Sequence, residues 1–229
     1  MNFSVTILGS GAALPTYTRN PTSQYVQCNN RHILIDCGEG TQMQMRKFGV
    51  KLQHISHILI SHLHGDHFFG LVGLLSTMHL LGRDKGIFIY APKELEKIIK
   101  SQLEIGGAKI GFGLNFIPIE RNQTGILFED KVIEISTFPL NHKIQTNGFL
   151  ISEKEKERSL LGEKFKEDKL SLTFITKFKK GENVTDENGD TYNYEDYTTP
   201  PKPSRSYAYC SDTAYFEKVV PFIKNSNLL

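Results

Sequence analysis

Three imidazoles and one carboxylate fall within six positions of this chain, in the run His62, Leu63, His64, Gly65, Asp66 and His67. The run follows Ile58, Leu59 and Ile60, a short apolar stretch that reads as a buried strand. Side chains two apart in extended chain share a side, so His62 and His64 can face one point. Gly65 permits a turn that carries Asp66 and His67 round to a second point. Neutral imidazole and carboxylate are ligands for zinc and similar borderline ions. The layout therefore suits two neighbouring metal ions sharing one loop.

One loop cannot saturate two such ions, because each zinc takes about four ligands. The remaining ligands are expected at the ends of other strands, where His142 and Asp212 both stand. Asp212 has two oxygens and can bridge both ions. Asp36, after another apolar strand, reads as a carboxylate that orients a ligand histidine from behind.

The elements that must position these groups follow from pattern. Phe3 to Leu8 alternates and reads as a strand, ending at Gly9, Ser10 and Gly11. That Gly-x-Gly is a weak nucleotide signal, since the third glycine is missing and Leu14-Pro15 stands where a helix should start; a tight turn is the better reading. Asn29-Asn30 separates two strand-like runs, 24–28 and 32–36, as in a hairpin. A helix is expected over 42–48, a strand over 54–61, and one long helix over 68–81 stopped by Gly82. Strands are expected at 87–90, 115–119, 131–138, from 149 and at 207–210. Pro92 is placed at the start of a helix reaching residue 103, and a short helix is expected over 215–224. Strands with helices between them indicate an α/β layered fold.

At 229 residues the chain can hold one large domain or two small ones. A formal charge of +2 excludes whole-surface attraction to nucleic acid, so any such contact needs a local patch. Cys28, Cys37 and Cys210 lack disulfide-like spacing, which favours a reducing compartment. With no signal-peptide pattern and no long apolar run, a cytoplasmic location is expected.

Residues 152–205 behave differently. Residues 152–180 carry nine Lys/Arg against six Asp/Glu, a net +3, whereas 181–199 carry six acidic residues and no basic ones. Asn188-Gly189 reads as a hairpin tip, and Pro200, Pro201 and Pro203 close the stretch. An excursion of this length between two core strands points to function or mobility. Lys177, Lys179 and Lys180 form its clearest basic cluster, and Phe178 among them is expected to offer a stacking surface.

The metal loop with His142 and Asp212 downstream resembles the metallo-β-lactamase superfamily, and within it the ribonuclease Z family of zinc-dependent tRNA 3′-processing endonucleases. The narrower resemblance rests on the runs from Gly9 to Thr16, Arg19 to Ser23, Asp36 to Gln42 and Gly70 to Leu75, and on Pro139 to His142 followed by Gly148-Phe149. It extends from Phe3 to Asn227 and is weakest between Ser152 and Ser204.

The resemblance implies an αββα sandwich with the metals at one end of two sheets. It implies His62, His64 and His142 on one zinc, Asp66 and His67 on the other, Asp212 between them, and Asp66 as the catalytic carboxylate. It further implies homodimers, precursor tRNA as substrate, and a division into a core (1–151), a flexible tRNA-binding arm (152–205) and a continued core (206–229). Arg19 and the three lysines are the expected RNA contacts. Family members usually continue further and carry there a histidine that stabilises the transition state and a last metal ligand. The second half of the sandwich is therefore expected to be incomplete here, and these residues alone impaired. The Gly-Pro pair common in bacterial arms is absent from Leu170 to Ile175. Two alternatives stand beside this reading: a superfamily hydrolase of a small ester, lactam or phosphodiester, and a non-catalytic RNA-binding remnant.

Overall fold

The computed structural model describes residues 2–14 and 16–229. Met1 and Pro15 lie outside the described residues, and with Pro15 one position of the loop motif between Gly9 and Thr16. The chain forms two units, residues 1–151 with 206–229, and residues 152–205.

In the first unit, β1 (Phe3–Gly9), β2 (Ser23–Cys28), β3 (Arg31–Ile35), β4 (His57–Leu59), β5 (Ile87–Pro92) and β6 (Leu114–Ile119) form one sheet in sequence order. The β1–β2 and β2–β3 pairs are antiparallel, and the later pairs are parallel. A second sheet contains β7 (Gly125–Glu129), β8 (Ile133–Pro139), β9 (Asn147–Glu153) and the strand Ser206–Tyr209, with β9 between that strand and β8. Leu228 makes a parallel bridge to Tyr207 beside that last strand.

Alternation along the strands of the first sheet feeds two apolar cores. Leu34, Ile58 and Ile60 face α1 (Thr41–Lys47), α3 (Leu71–Leu80) and α4 (Glu94–Ile105), meeting Met45, Leu74, Met78 and Ile99. Ile33, Ile35 and Leu59 point the other way and meet Ile133, Ile135, Phe149 and Tyr207 of the second sheet. Burying each such side chain contributes about 1.5–3 kcal/mol. On the outer face of the second sheet, Phe222 of the short helix Val220–Ile223 stacks on Phe138, ring centroids 5.4 Å apart. The layering is that of the metallo-β-lactamase fold.

Several expectations need correction. The helix over 68–81 is two helices, α2 (Gly65–Phe68) and α3. Gly70, between them, donates its N–H to Cys37 O at 2.9 Å, and a Cβ there would lie 2.2 Å from Gly38 O. The backbone of the turn after β3 thus occupies the space that a continuous helix would need. Pro92 closes β5, and the helix begins at Glu94. The strand over 54–61 is a 3-10 turn, Leu52–His54, followed by β4. The helix over 215–224 is a 3-10 turn, Glu217–Val219, followed by Val220–Ile223. β7 has no counterpart among the expected strands; its apolar residues Ile126, Leu127 and Phe128 are consecutive, without alternation, and are exposed or half-buried.

The second unit has its own small core. Phe165, Phe178, Val184 and Tyr197 are buried, and Phe174, Ile175 and Tyr192 pack around them. Phe178 is fully buried and stacks on Tyr197 at 5.2 Å, so it presents no stacking surface. Helical spacing turns Phe178 inward while Lys177 and Lys180 stay exposed and Lys179 half-buried. Val184–Thr185 pairs with Thr191–Tyr192 around a tip where Gly189 adopts φ +90°. Glu153 accepts hydrogen bonds from Arg205 Nη2 at 2.7 Å and Lys156 Nζ at 2.6 Å, which hold its carboxyl down at about 2. Among the described residues no helix is long and apolar enough to cross a membrane.

Candidate metal centre

β4 is buried on both sides between β3 and β5, so the chain leaving its end is fixed in direction. Ser61 and His62 follow, both fully buried. His62 Nε2 lies 3.0 Å from His64 Nδ1, and His142 Nε2 lies 3.3 Å from the same nitrogen. Together with a carboxylate oxygen of Asp212, these ligand atoms all lie within 4.8 Å of one another. Four ligands about 2.1 Å from a tetrahedral zinc would stand about 3.4 Å apart. The two separations from His64 Nδ1 are close to that edge, and the donor set suits a metal ion.

His142 comes from the loop after β8, and Asp212 from the loop after the strand Ser206–Tyr209. These two loops are tied together: Ala214 N donates to Asn141 O at 2.8 Å, and Asn141 N to Thr213 Oγ1 at 3.1 Å. The second sheet thus delivers both groups as one piece.

Asp66 and His67 sit on α2, alongside the cluster. His67 Nε2 is 3.6 Å from Asp66 Oδ2 and 3.9 Å from Asp212 Oδ1. Its other nitrogen, Nδ1, donates to Asp36 Oδ2 at 2.7 Å. That bond leaves the Nε2 lone pair free to face Asp66 and Asp212. Burial alone would push the His67 pKa down. The Asp36 hydrogen bond and the charges of Asp36, Asp66 and Asp212 outweigh it and raise the pKa. His62 has no carboxylate hydrogen-bonded to it among the described residues. Burial, followed by the neighbouring imidazoles of His67, His64 and His142, pushes it down to about 3, leaving a neutral imidazole.

Asp36 is fully buried and has a left-handed φ of 56°. Its Oδ1 accepts Ser61 N–H at 2.8 Å. Its Oδ2 accepts Ser61 Oγ at 2.9 Å and Tyr209 OH at 2.7 Å besides His67. Burial, then the Asp36 charge, keeps the Tyr209 phenol well above its usual pKa and therefore a donor.

Four participants are absent from the sequence-based set. Ser61 Oγ, besides its bond to Asp36, lies 3.1 Å from Ser211 Oγ, joining the two sheets beneath the cluster. Tyr209 reaches Asp36 from the second sheet. Ala13 N donates to Asp66 Oδ2 at 2.8 Å, so the loop after β1 fixes the orientation of Asp66. Ala13 itself has φ 50°, uncommon for a residue with a side chain. Tyr209, Ser61 and Ser211 carry no spacing signal. The small-residue run from Gly9 to Ala13 is the one clue to Ala13. Arg19 is exposed on the same loop, outside the cluster, and Lys177, Lys179 and Lys180 belong to the second unit.

The family described as "Anti-Pycsar protein Apyc1" matches residues 3–169. A ribonuclease Z from Cytophaga hutchinsonii is 43% identical over all of this chain and 73% of its own length. One from Parabacteroides distasonis is 37% identical over all of this chain and 75% of its own length. The chain thus spans about three quarters of these curated relatives. Among solved structures, human tRNase Z, short form, is 36% identical with a TM-score of 0.60, over 66% of this chain and 64% of that one. The metallo-β-lactamase fold protein YhfI from Bacillus subtilis shares the fold over 98% of this chain and 68% of its own, at TM-score 0.59 and 15% identity.

Proposed function

The chain belongs to the ribonuclease Z family and, through residues 3–169, to the family described as anti-Pycsar protein Apyc1, and from that premise we propose that it is a zinc-dependent endoribonuclease that removes the 3′ trailer from precursor tRNA. The observation that carries the reading is the similarity to ribonuclease Z, which spans all of this chain at 37% identity in one relative and 43% in another.

In this reading His62, His64 and His142 hold one ion, Asp66 and His67 the other, and Asp212 stands between them. Zinc held there supplies Lewis-acid stabilisation of the phosphate oxygens and a nucleophile at neutral pH. Asp66 Oδ2 is fixed by Ala13 N–H, which leaves Oδ1 to accept the proton of the attacking water. Asp36 keeps the proton of His67 on Nδ1 and its ring in place. The water oxygen bonds to the phosphorus as the bond to the ribose 3′ oxygen breaks, and the proton taken up by Asp66 balances the one that the leaving oxygen gains, so the trailer keeps the phosphate and the retained tRNA ends in a 3′-hydroxyl. Lys177, Lys179 and Lys180 grip phosphates of the folded tRNA, which is held by shape and charge, and Arg19 touches phosphate near the cut. Exposed Met43, Phe48, Leu80 and Leu81 on and beside α1 and α3 support a homodimer through those helices.

A second reading is a hydrolase of a small phosphodiester. The match to the anti-Pycsar family covers residues 3–169, which takes in His62 to His67 and His142 but neither Asp212 nor Lys177, so the lysine cluster separates the two readings. The test is cleavage of a 3′-extended precursor tRNA with added zinc, beside a chelator control and Asp66→Ala. A single chelator-sensitive cut near the acceptor end, lost in the variant, supports the nuclease. Turnover of a small phosphodiester with an intact precursor favours the second reading.

A further inference from the structure

A groove of about 530 Å³ opens beside the metal cluster. Its walls include Ala12, Ala13, Glu39, Asp66, Phe69 and Asp212. Two of these side chains, Glu39 and Phe69, take no part in holding the cluster.

Phe69 follows α2 directly and is 66% exposed, so it contributes little to the core. Its ring is nevertheless fixed. It lies so close over Gly65 that a Cβ there would come within 2.1 Å of Phe69 Cε2, and Phe68 meets it edge to face at 5.0 Å. The metal loop and Phe68 brace the ring from within, and the rest of it is open. A braced aromatic loses little freedom on binding a flat partner. Glu39 is exposed on the turn between β3 and α1, with no hydrogen bond or ion pair to another described residue. The groove lining contains Glu39, Asp66 and Asp212 and no lysine or arginine. Away from the metal ligands, such walls repel phosphate and suit a neutral aromatic group that can donate hydrogen bonds.

We infer that this groove is a nucleobase subsite. Phe69 stacks on the base of a nucleotide flanking the scissile phosphate, and Glu39 accepts a hydrogen bond from that base's exocyclic amino group. The inference rests on the phosphodiester reading given above. Stacking supplies affinity with little sequence preference. A carboxylate acceptor adds preference for cytosine or adenine over uracil, which has no amino group.

The test places 2-aminopurine at each of the two nucleotides flanking the cut in a 3′-extended precursor tRNA. Binding is followed by fluorescence on the chelator-treated full chain. Quenching is expected at one of the two positions. It should be lost in Phe69→Ala and Phe69→Leu and retained in Phe69→Tyr, with thermal unfolding confirming that each variant is folded. With zinc restored, KM for the precursor should rise roughly fivefold to a hundredfold in Phe69→Leu. Glu39→Gln should narrow the difference between cytosine and uracil at the quenched position. Quenching and KM that are the same in wild type and Phe69→Leu would overturn the inference while leaving the nuclease reading intact. Unchanged quenching with a changed sedimentation coefficient would assign Phe69 to a subunit contact, and would also overturn it. A wild-type chain that neither binds nor cuts the precursor would remove both readings together.

Discussion

His57 provides the sharpest physical test of this fold. It lies on β4 with its side chain turned toward the core between the two sheets, 5% exposed. Its ring packs against Phe88 at 5.5 Å, Tyr90 at 6.0 Å and Phe128 at 4.3 Å. Its Nδ1 is buried with no hydrogen-bond partner among the described residues. Burial, opposed only weakly by the charge of Asp130, pushes its pKa from 6.5 down to about 4. The unfolded chain therefore binds a proton that the folded chain refuses between about pH 6.5 and pH 4. Stability from this site is full above pH 6.5 and is lost as pH falls toward 4. A shift of this size is worth about 3 kcal/mol in all, most of which is lost between pH 7 and pH 4.5. That is a large part of the roughly 5–15 kcal/mol typical of a domain. Urea unfolding of wild type and His57→Leu at pH 7 and pH 4.5, both in chelator, isolates the effect, because other titrating histidines cancel in the double difference. The wild type should lose more than the variant by most of this roughly 3 kcal/mol, and the His57 Cε1 proton resonance should titrate near pH 4. Parallel losses in the two proteins, or a midpoint near 6.5, would refute the reasoning.

Three other outcomes follow from the same structure. Asp36→Asn replaces an acceptor of four donors with a group that can accept at only one atom. It should weaken metal binding about 10–100-fold, read by competition with a chromophoric chelator, and cost about 1–3 kcal/mol of stability. Gly70→Ala forces a Cβ against Gly38 O and should lower stability by about 1–3 kcal/mol, seen as a fall in Tm. Replacing Lys177, Lys179 and Lys180 with Ala should weaken precursor binding and flatten its dependence on salt, by about one unit of the log–log slope for each phosphate no longer neutralised. An unchanged slope would take those lysines off the RNA.

The candidate site is largely legible in the sequence because its densest part is local. His62, His64, Asp66 and His67 announce themselves by residue type and spacing, and His142, Asp212 and Asp36 by following apolar strands. The supporting layer is not legible. Ser61, Ser211 and Tyr209 are common residues whose meaning lies in contacts across as many as 187 positions, and no local pattern encodes such a distance. Ala13 acts through a backbone N–H, which every residue but proline carries. The same reason explains the helix broken at Gly70, since the obstruction comes from Cys37 and Gly38 in another loop. Phe178 reads wrongly as a surface group because three neighbouring lysines mask the helical spacing that turns it inward.

The candidate cluster draws on residues from His62 to Asp212, and the unit of residues 152–205, with its own core, lies between His142 and Asp212 in the sequence. Synthesis proceeds from the N-terminus, and compact units fold as they emerge. The inserted unit is therefore synthesised before Asp212. Until then the nascent chain carries histidines and Asp66 but no Asp212, and the two sheets lack the Ser61–Ser211 tie. Order of manufacture thus sets a sequence: Asp212 joins the histidines and Asp66 only on a chain that already possesses the inserted unit.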